Sequence, residues 1–442
     1  MRAWQWLAGL LLAGAGLSVQ AAPAVRATLD NGLRVIVQPD RRAPVVITQV
    51  WYRVGSADEG PGQTGISHVL EHLMFKGTPR VPAGEFSRLV SHFGGDDNAF
   101  TTDQVTVYYQ QHVADRVELA LALEADRMAH PRLDAADFAS ELQVVIEERR
   151  LRTDDNPQAL AMERFQAIAN VVSSERTPTI GWPGDLAALT IEDARAWHAR
   201  WYAPNNATLV VAGDVDPQAV IALAKRHFGP LKARPLPRRV TLRELPEPGQ
   251  REVRLQLPGQ VPALYLGWNW PGLASAERPE DAYALRLLAG ILDEGLSARL
   301  EQALVRTGKA AAIRSSYDML SRGDTLFTVT AVPAGGGSLE ALREAILAEV
   351  SRLRDQPPAP EEIARVLANV VAQQVFSRDD VADQARLLGQ LDAAGLPGDW
   401  ADTLADRLAA VTPEQVQAAA RRYLVPARMT SLLLDLKPEN QP

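Results

Sequence analysis

The sequence predicts an α+β protein: two homologous α/β halves joined by a Pro-rich linker. Three observations predict it. Strand-like alternation and helix-like periodicity are interspersed along the chain. A proline-bearing stretch of linker composition divides it near the middle. Residues on either side of that stretch match at a constant offset, as after a duplication. With 442 residues, 46% of them hydrophobic, the chain is long enough for more than one packed domain.

Residues 1–21 read as a signal peptide. Arg2 supplies positive charge, Leu7 to Leu17 form a short apolar run, and Val19-Gln20-Ala21 has the small-residue character of a cleavage site. The mature chain is expected to begin near Ala22 or Pro23 and to be exported, which in a Gram-negative cell means a periplasmic location. The apolar run falls short of the roughly 20 residues that a membrane span needs. No comparable stretch follows, so no integral membrane segment is expected after signal cleavage.

Next, Val25–Leu29 and Leu33–Gln38 flank Asp30-Asn31-Gly32 and read as a hairpin. Val45–Val54 reads as a strand, and helical segments are expected near 65–75, 83–92, 113–129 and 135–152. Asp97–Gln111 alternates around Val105, Val107 and Tyr109 and is expected as one long half-buried strand. Gly229 to Gln250 carries Pro230, Pro235, Pro237, Pro246 and Pro248 among basic residues, with few apolar ones. This predicts an N-terminal domain over 22–230, a linker over 231–250 and a C-terminal domain over 251–437. At an offset of 222, Thr190 matches Thr412, Glu192 matches Glu414, Pro204 matches Pro426 and Thr208 matches Thr430. Both copies run helix, aromatic residue, proline and apolar strand (Leu209–Ala212 and Leu432–Leu434). The last histidine is His227, so the second half has none.

Composition narrows the chemistry. The formal net charge is −8 and no basic run occurs, which argues against a nucleic-acid surface. There is no cysteine, so disulfides, thiol nucleophiles and thiolate-bound metals are excluded. A metal site must then consist of histidines and carboxylates, and there are only seven histidines. Two of them form His68-Val69-Leu70-Glu71-His72, in a segment of helical pattern between Gly65 and Gly77. Residues four apart share a helix face, so both imidazoles can reach one ion, and Glu71 stands beside it to act on bound water. A catalytic site needs a third protein ligand. Glu141 and Glu148, seven residues apart, share one face of the helix expected over 134–152. Glu147 points about 100° away from Glu148. By spacing alone this acidic helix reads more simply as a solvated face.

His68–His72 followed by Leu73-Met74-Phe75-Lys76-Gly77-Thr78 resembles the pitrilysin/insulinase family of zinc peptidases, especially members of the mitochondrial processing peptidase type. Asn98-Ala99-Phe100-Thr101 with Tyr108-Tyr109, Tyr202-Ala203-Pro204-Asn205-Asn206-Ala207 and Gly213-Asp214-Val215-Asp216 are similar to further signatures of that family. The resemblance covers nearly the whole mature chain and is weakest after the linker. It implies one zinc per chain, held by His68, His72 and Glu148, the last in the Val-Ile-x-Glu-like context Val145-Ile146-Glu147-Glu148. Glu147 is the competing ligand. It implies Glu71 as general base and Glu141 as the carboxylate that supports the site. It further implies that a peptide substrate pairs with the strand at Asn98, Ala99 and Phe100.

Long family members carry an Arg and a Tyr seven apart in the second half. Here that pair falls on Val305 and Ala312 or, shifted by one, on Arg306 and Ile313. The resemblance therefore implies a homologous partner subunit bearing the Arg and Tyr, with this chain as the zinc-bearing member. The expected function is that of an exported zinc endopeptidase acting on peptides or unfolded polypeptides. The alternative is a non-catalytic or weakly active subunit of a heterodimeric peptidase. A quorum-signal lyase also uses H-x-x-E-H, but as one small domain with a catalytic cysteine, which this chain lacks.

Overall fold

The structure, a computed structural model, describes residues 23–239, 242–259 and 261–437. The signal peptide expected over 1–21 and the cleavage site near Ala22 lie outside the described residues. The Asp30-Asn31-Gly32 turn, with Gly32 at φ +85°, joins β1 (Val25–Thr28) to β2 (Arg34–Pro39) as the expected hairpin. With β3 (Val45–Tyr52), β4 (Asp96–Thr101), β5 (Thr106–Val113) and β6 (Ala207–Gly213) they form a sheet ordered β1-β2-β6-β3-β5-β4. Only β2 and β6 run parallel.

The second half repeats this plan. Strands β7 (Arg251–Pro258), β8 (Ala263–Pro271), β9 (Ala310–Ser316), β10 (Asp324–Pro333) and β11 (Met429–Lys437) are ordered β7-β11-β8-β10-β9, with only β7 and β11 parallel. Leaving β1 aside, the two sheets correspond strand for strand. The fold is the duplicated α+β architecture that the sequence predicts.

Asp97–Gln111 is not one strand. The chain turns back between β4 and β5, where the Thr102 N–H donates to the Val105 carbonyl at 2.8 Å. The Thr102 hydroxyl also accepts from the N–H groups of Gln104 and Val105, both at 3.1 Å. That side chain closes the turn with no glycine or proline, so the alternation passes through it unmarked.

The first half carries helices α1 (Ile66–Leu73), α2 (Glu85–His92), α3 (Val117–Ala129), α4 (Ala135–Arg149), α5 (Pro157–Ala169), α6 (Pro183–Ala188), α7 (Ile191–Trp201) and α8 (Pro217–Phe228). The second half carries α9 (Pro279–Asp293), α10 (Leu339–Asp355), α11 (Pro360–Ser377), α12 (Val381–Ala393), α13 (Trp400–Ala409) and α14 (Pro413–Tyr423). The matched residues take matched roles. Thr190 and Thr412 are the N-caps of α7 and α14, each closing a capping box. Pro204 and Pro426 each open a 3-10 turn leading into the last strand of their half. Among the described residues no helix is long and apolar enough to cross a membrane.

Each sheet has one face covered by its own half and the other by its neighbour. Helix α12 of the second half lies across β3 and β6, where Ala385 and Leu388 pack with Ile36, Ile47, Trp51 and Val210. Helix α5 of the first half lies across β7, β8 and β11, where Ala161 and Phe165 pack with Ala263, Tyr265, Leu432 and Leu434. The halves also meet at their hairpin tips. Gln104, in the β4–β5 turn, donates to Ser321 Oγ and accepts from the Arg322 N–H, both at 2.9 Å, in the turn before β10.

Residues 231–250 contain neither helix nor strand among those described, yet they are pinned. The Glu244 carboxylate accepts from the N–H groups of Val171, Val172 and Ser173, and Arg239 pairs with Asp58 at 3.0 Å.

Candidate metal centre

Helix α1 starts where only glycine fits. Gly65 has φ +90°, and a Cβ there would lie 2.7 Å from the Ile180 carbonyl oxygen. The Glu59 carboxylate accepts from the N–H groups of Gly65 (2.7 Å) and Ser67 (2.8 Å), so the open helix end meets a carboxylate. Burial pushes the Glu59 pKa up to about 7 against those bonds. Ile66, Val69, Leu70 and Leu73 anchor the helix in the first-half core. His68 and His72, one turn apart, then meet α4.

Both Nε2 atoms point at one carboxylate. His68 Nε2 lies 3.7 Å from Glu148 Oε1, and His72 Nε2 lies 3.6 Å from Glu148 Oε2. A tetrahedral ion with bonds of about 2.0–2.2 Å would hold its ligand atoms about 3.3–3.6 Å apart. Among the described residues, His68, His72 and Glu148 are the group whose donor atoms come together this way, all within 4.8 Å of one another. Burial, helped by the charges of His72 and Arg152, pushes the His68 pKa down to about 3. The ring is therefore neutral, as a metal ligand must be. His68 Nδ1 is buried and has no hydrogen-bond partner among the described residues. The donor set fits a divalent metal.

Glu141 stands behind His72. Its Oε2 lies 3.1 Å from His72 Nδ1, and its Oε1 pairs with Lys76 Nζ at 2.5 Å. An ionised carboxylate only accepts, so Nδ1 carries the proton and Nε2 keeps its lone pair for the metal. Burial would raise the Glu141 pKa, but the bonds from Lys76 and His72 outweigh it and hold the group below its usual value.

Glu71 lies beside the histidines on α1, about 60° around the helix from His68 and about 100° from His72. It is buried, and it accepts a hydrogen bond from the Thr101 hydroxyl at the end of β4. Burial raises its pKa above the ordinary carboxylate value, with the Thr101 bond and His72 opposing.

Other candidates are placed elsewhere. Glu147 is exposed and pairs with Arg150 on the surface. Asn98, Ala99 and Phe100 lie on β4, the end strand of its sheet, but alternate between its faces. Ala99 packs toward the core beneath α1, whereas Phe100 meets Trp51 edge-on at 6.0 Å in the layer between the halves. The Phe100 side chain is thus committed to packing. In the second half, the Arg and Tyr that flank the expected pair positions are Arg299 and Tyr317. Arg299 is bidentate to Glu362 at 2.7 Å and the Tyr317 hydroxyl donates to the Pro271 carbonyl, so both are already used. Thr101, Lys76 and Arg152 touch the site through Glu71, Glu141 and Glu148, and Glu59 holds the start of α1. The sequence pattern marks none of these roles, although Lys76 stands four residues beyond His72 on the same helical spacing.

The model of the Insulinase (Peptidase family M16) domain matches residues 34–181, and the model of the Peptidase M16 inactive domain matches residues 188–370. The zinc protease PqqE of Helicobacter pylori is 33% identical over 405 residues, covering 88% of this chain and 90% of that protein. The chain belongs to peptidase family M16. An uncharacterized zinc protease of Mycobacterium tuberculosis is 33% identical over 68% of each chain. The crystal structure of a protease from Helicobacter pylori matches with a TM-score of 0.88 at 29% identity, covering 94% of this chain and 99% of that one. The first half of the periplasmic protease PqqL from Escherichia coli matches at 0.76 and 20% identity, over 94% and 93% of the two chains, a likeness of fold. Within this M16 chain, the histidine-bearing motif lies in the stretch matched by the Insulinase model. The stretch matched by the inactive-domain model begins just before α7 and contains most of the second half.

Proposed function

We propose that this chain is an exported zinc endopeptidase that hydrolyses peptides or unfolded polypeptides, with His68, His72 and Glu148 as metal ligands and Glu71 as general base. The observation that carries the reading is the placement of Glu71, a buried carboxylate one residue from a ligand, held by Thr101 and raised in pKa. A zinc ion bound there supplies Lewis acidity, polarising the scissile carbonyl and acidifying the attacking water. Glu71 takes the water's proton and passes one to the leaving amine, a task its raised pKa suits. Glu141 and Lys76 fix the tautomer of His72. The edge of β4 offers backbone groups at Asn98, Ala99 and Phe100 to an extended peptide. Residues 1–21 support a periplasmic location through their signal-peptide character.

A second reading concerns the active assembly. Arg299 and Tyr317 are occupied within the second half, which favours a homologous Arg- and Tyr-bearing partner that completes the site. Without it the chain would be weakly active, since each missing donor to a developing oxyanion costs about 10²–10³ in rate. Zinc analysis and cleavage of a quenched peptide, by the purified chain and by the chain co-expressed with its genomic neighbour, test both readings. Zinc-dependent cleavage that Glu71→Gln abolishes is expected. A Glu71→Gln protein cleaving at the wild-type rate refutes the first reading, and full activity unchanged by the neighbour refutes the second.

A further inference from the structure

Three arginines follow the ligand Glu148, and two are tied down away from the site. Arg149 is buried against Glu163 (2.7 and 2.9 Å) and the Gly181 carbonyl. Arg150 is held by Glu147 and Asp155. Arg152 is different. Its Nη1 lies 2.5 Å from Glu148 Oε1, the same oxygen that faces His68, while its side chain is 74% exposed. It sits in the five-residue π-helical turn Arg150–Asp154 that continues α4. Such turns are frequent at functional sites.

Around Arg152 the outer face of α4 is unusually apolar. Val144 and Leu151, two turns apart and flanking Glu148, are 46% and 60% exposed. With Ser140, Gln143, Arg152 and the carboxylates of Glu147 and Glu148 they line an open depression of about 740 Å³. Among the described residues it is walled by α4 and its π turn, and Glu147 is neutralised there by Arg150. Helix α1 packs against both β4 and α4. Its Glu71 reaches Thr101 of β4, while His68 and His72, about 60° and 100° away around the helix, reach Glu148 of α4. A peptide that pairs with the β4 edge and passes Glu71 and the ligands has this face of α4 beside it.

Charge settles what the wall accepts. In the ion-free arrangement Arg152 is neutralised by Glu148. A divalent ion sharing the Glu148 carboxylate leaves the guanidinium short of a counter-charge, at an exposed position suited to a bidentate carboxylate. We propose that Arg152, with Val144 and Leu151 beside it, is a specificity residue that binds a peptide carboxylate next to the scissile bond, on the α4 side of the metal ligands. The proposal rests on the peptidase reading above. The carboxylate comes either from an Asp or Glu side chain or from the C-terminus of a short peptide.

The test uses matched fluorescent peptides carrying Asp or Lys beside the cleavage point, each with a free or an amidated C-terminus. They are titrated into zinc-loaded Glu71→Gln protein by anisotropy and assayed for cleavage by Glu71-containing protein. Arg152→Ala should weaken binding and raise KM about three- to tenfold for the carboxylate-bearing peptide, leaving kcat and zinc content near wild type. Arg152→Lys should restore part of the effect, and Arg152→Glu should turn the preference toward Lys. Loss with amidation assigns the C-terminal carboxylate, and loss with Asp→Asn in the peptide assigns the side chain. Unchanged charge preference across all three variants overturns the proposal. So does loss of zinc in Arg152→Ala, which would make Arg152 a support for Glu148. If wild-type protein cleaves no peptide, the peptidase reading fails, and anisotropy still decides the carboxylate site.

Discussion

Trp51 of β3 packs so closely on Gly389 of α12 that a Cβ at Gly389 would lie 2.1 Å from the indole ring. The other half shows the same contact with the partners exchanged. Trp51 pairs with Thr208 in its sheet and Gly267 pairs with Thr430 in the other, so Trp51 and Gly267 occupy equivalent strand positions. Phe165 and Gly389 are likewise equivalent, each the ninth residue of a thirteen-residue helix. A Cβ at Gly267 would meet the Phe165 ring at 2.8 Å. One interface seats a sheet aromatic in a helix notch, and the other seats a helix aromatic in a sheet notch.

Gly389→Ala should therefore destabilise the protein. In an open helix this change would help by about 1 kcal/mol through propensity. Against a buried indole, overpacking costs about 1–3 kcal/mol, and the clash wins. Chemical denaturation should show a lower midpoint. A midpoint equal to or above that of wild type would mean that α12 does not sit on Trp51 as described.

Glu148→Gln should lose bound zinc, as should His68→Ala and His72→Ala, because two ligands hold the ion poorly. Glu147→Gln should keep it, since that side chain is paired with Arg150 on the surface. Elemental analysis separates the two glutamates. Zinc lost with Glu147→Gln and retained with Glu148→Gln would reverse their roles.

Glu141→Gln should bind zinc about 10–100-fold more weakly than wild type while retaining the fold. The amide can still take a hydrogen bond from His72 Nδ1, but it loses the charge that Lys76 and His72 both meet. Competition with a chromogenic chelator measures the change. Wild-type affinity would remove Glu141 from the metal site.

Glu175, in the 3-10 turn Ser174–Arg176, accepts a hydrogen bond from the Ser321 hydroxyl where the hairpin tips meet, and it predicts a pH dependence of stability. Burial, the charge of Asp103 and that of Asp318 push the Glu175 pKa up to about 8, and Asp103 is raised in the same direction. A carboxylate raised from about 4.3 in the unfolded chain gives stability that is full below that value. That stability declines as pH rises and is lost by about 8. The wild-type melting temperature should fall between pH 5 and pH 9. Glu175→Gln should flatten that fall; parallel curves for the two proteins would show that Glu175 is not the titrating group.

How much of this could be read in advance depended on whether one element carried the information. His68, Glu71 and His72 lie within a single helix turn, so their spacing alone brings them together. The duplication was legible because Thr190 and Thr412 are N-caps and Pro204 and Pro426 open turns, roles that demand particular residue types. The β4–β5 turn was hidden because Thr102 makes it through its side chain. The exchange of α5 and α12 was hidden for another reason. An amphipathic period shows that a helix has a buried face, not which sheet buries it. Arg152 is one of three arginines in close sequence, and only the partners of Arg149 and Arg150 in the fold, Glu163 and Glu147, distinguish it from them.

The crossing of α12 onto the first sheet also fixes an order of events during synthesis. Ile36, Ile47, Trp51 and Val210 belong to strands that are complete by Gly213, but their cover is made of residues 381–393. Until that late segment emerges, the first half has a finished set of strands and one bare apolar face. The histidine-bearing half therefore cannot mature as an N-terminal unit ahead of the rest. Its contacts are among the most distant along the chain, which makes folding slow and leaves the growing chain open to handling in an extended state.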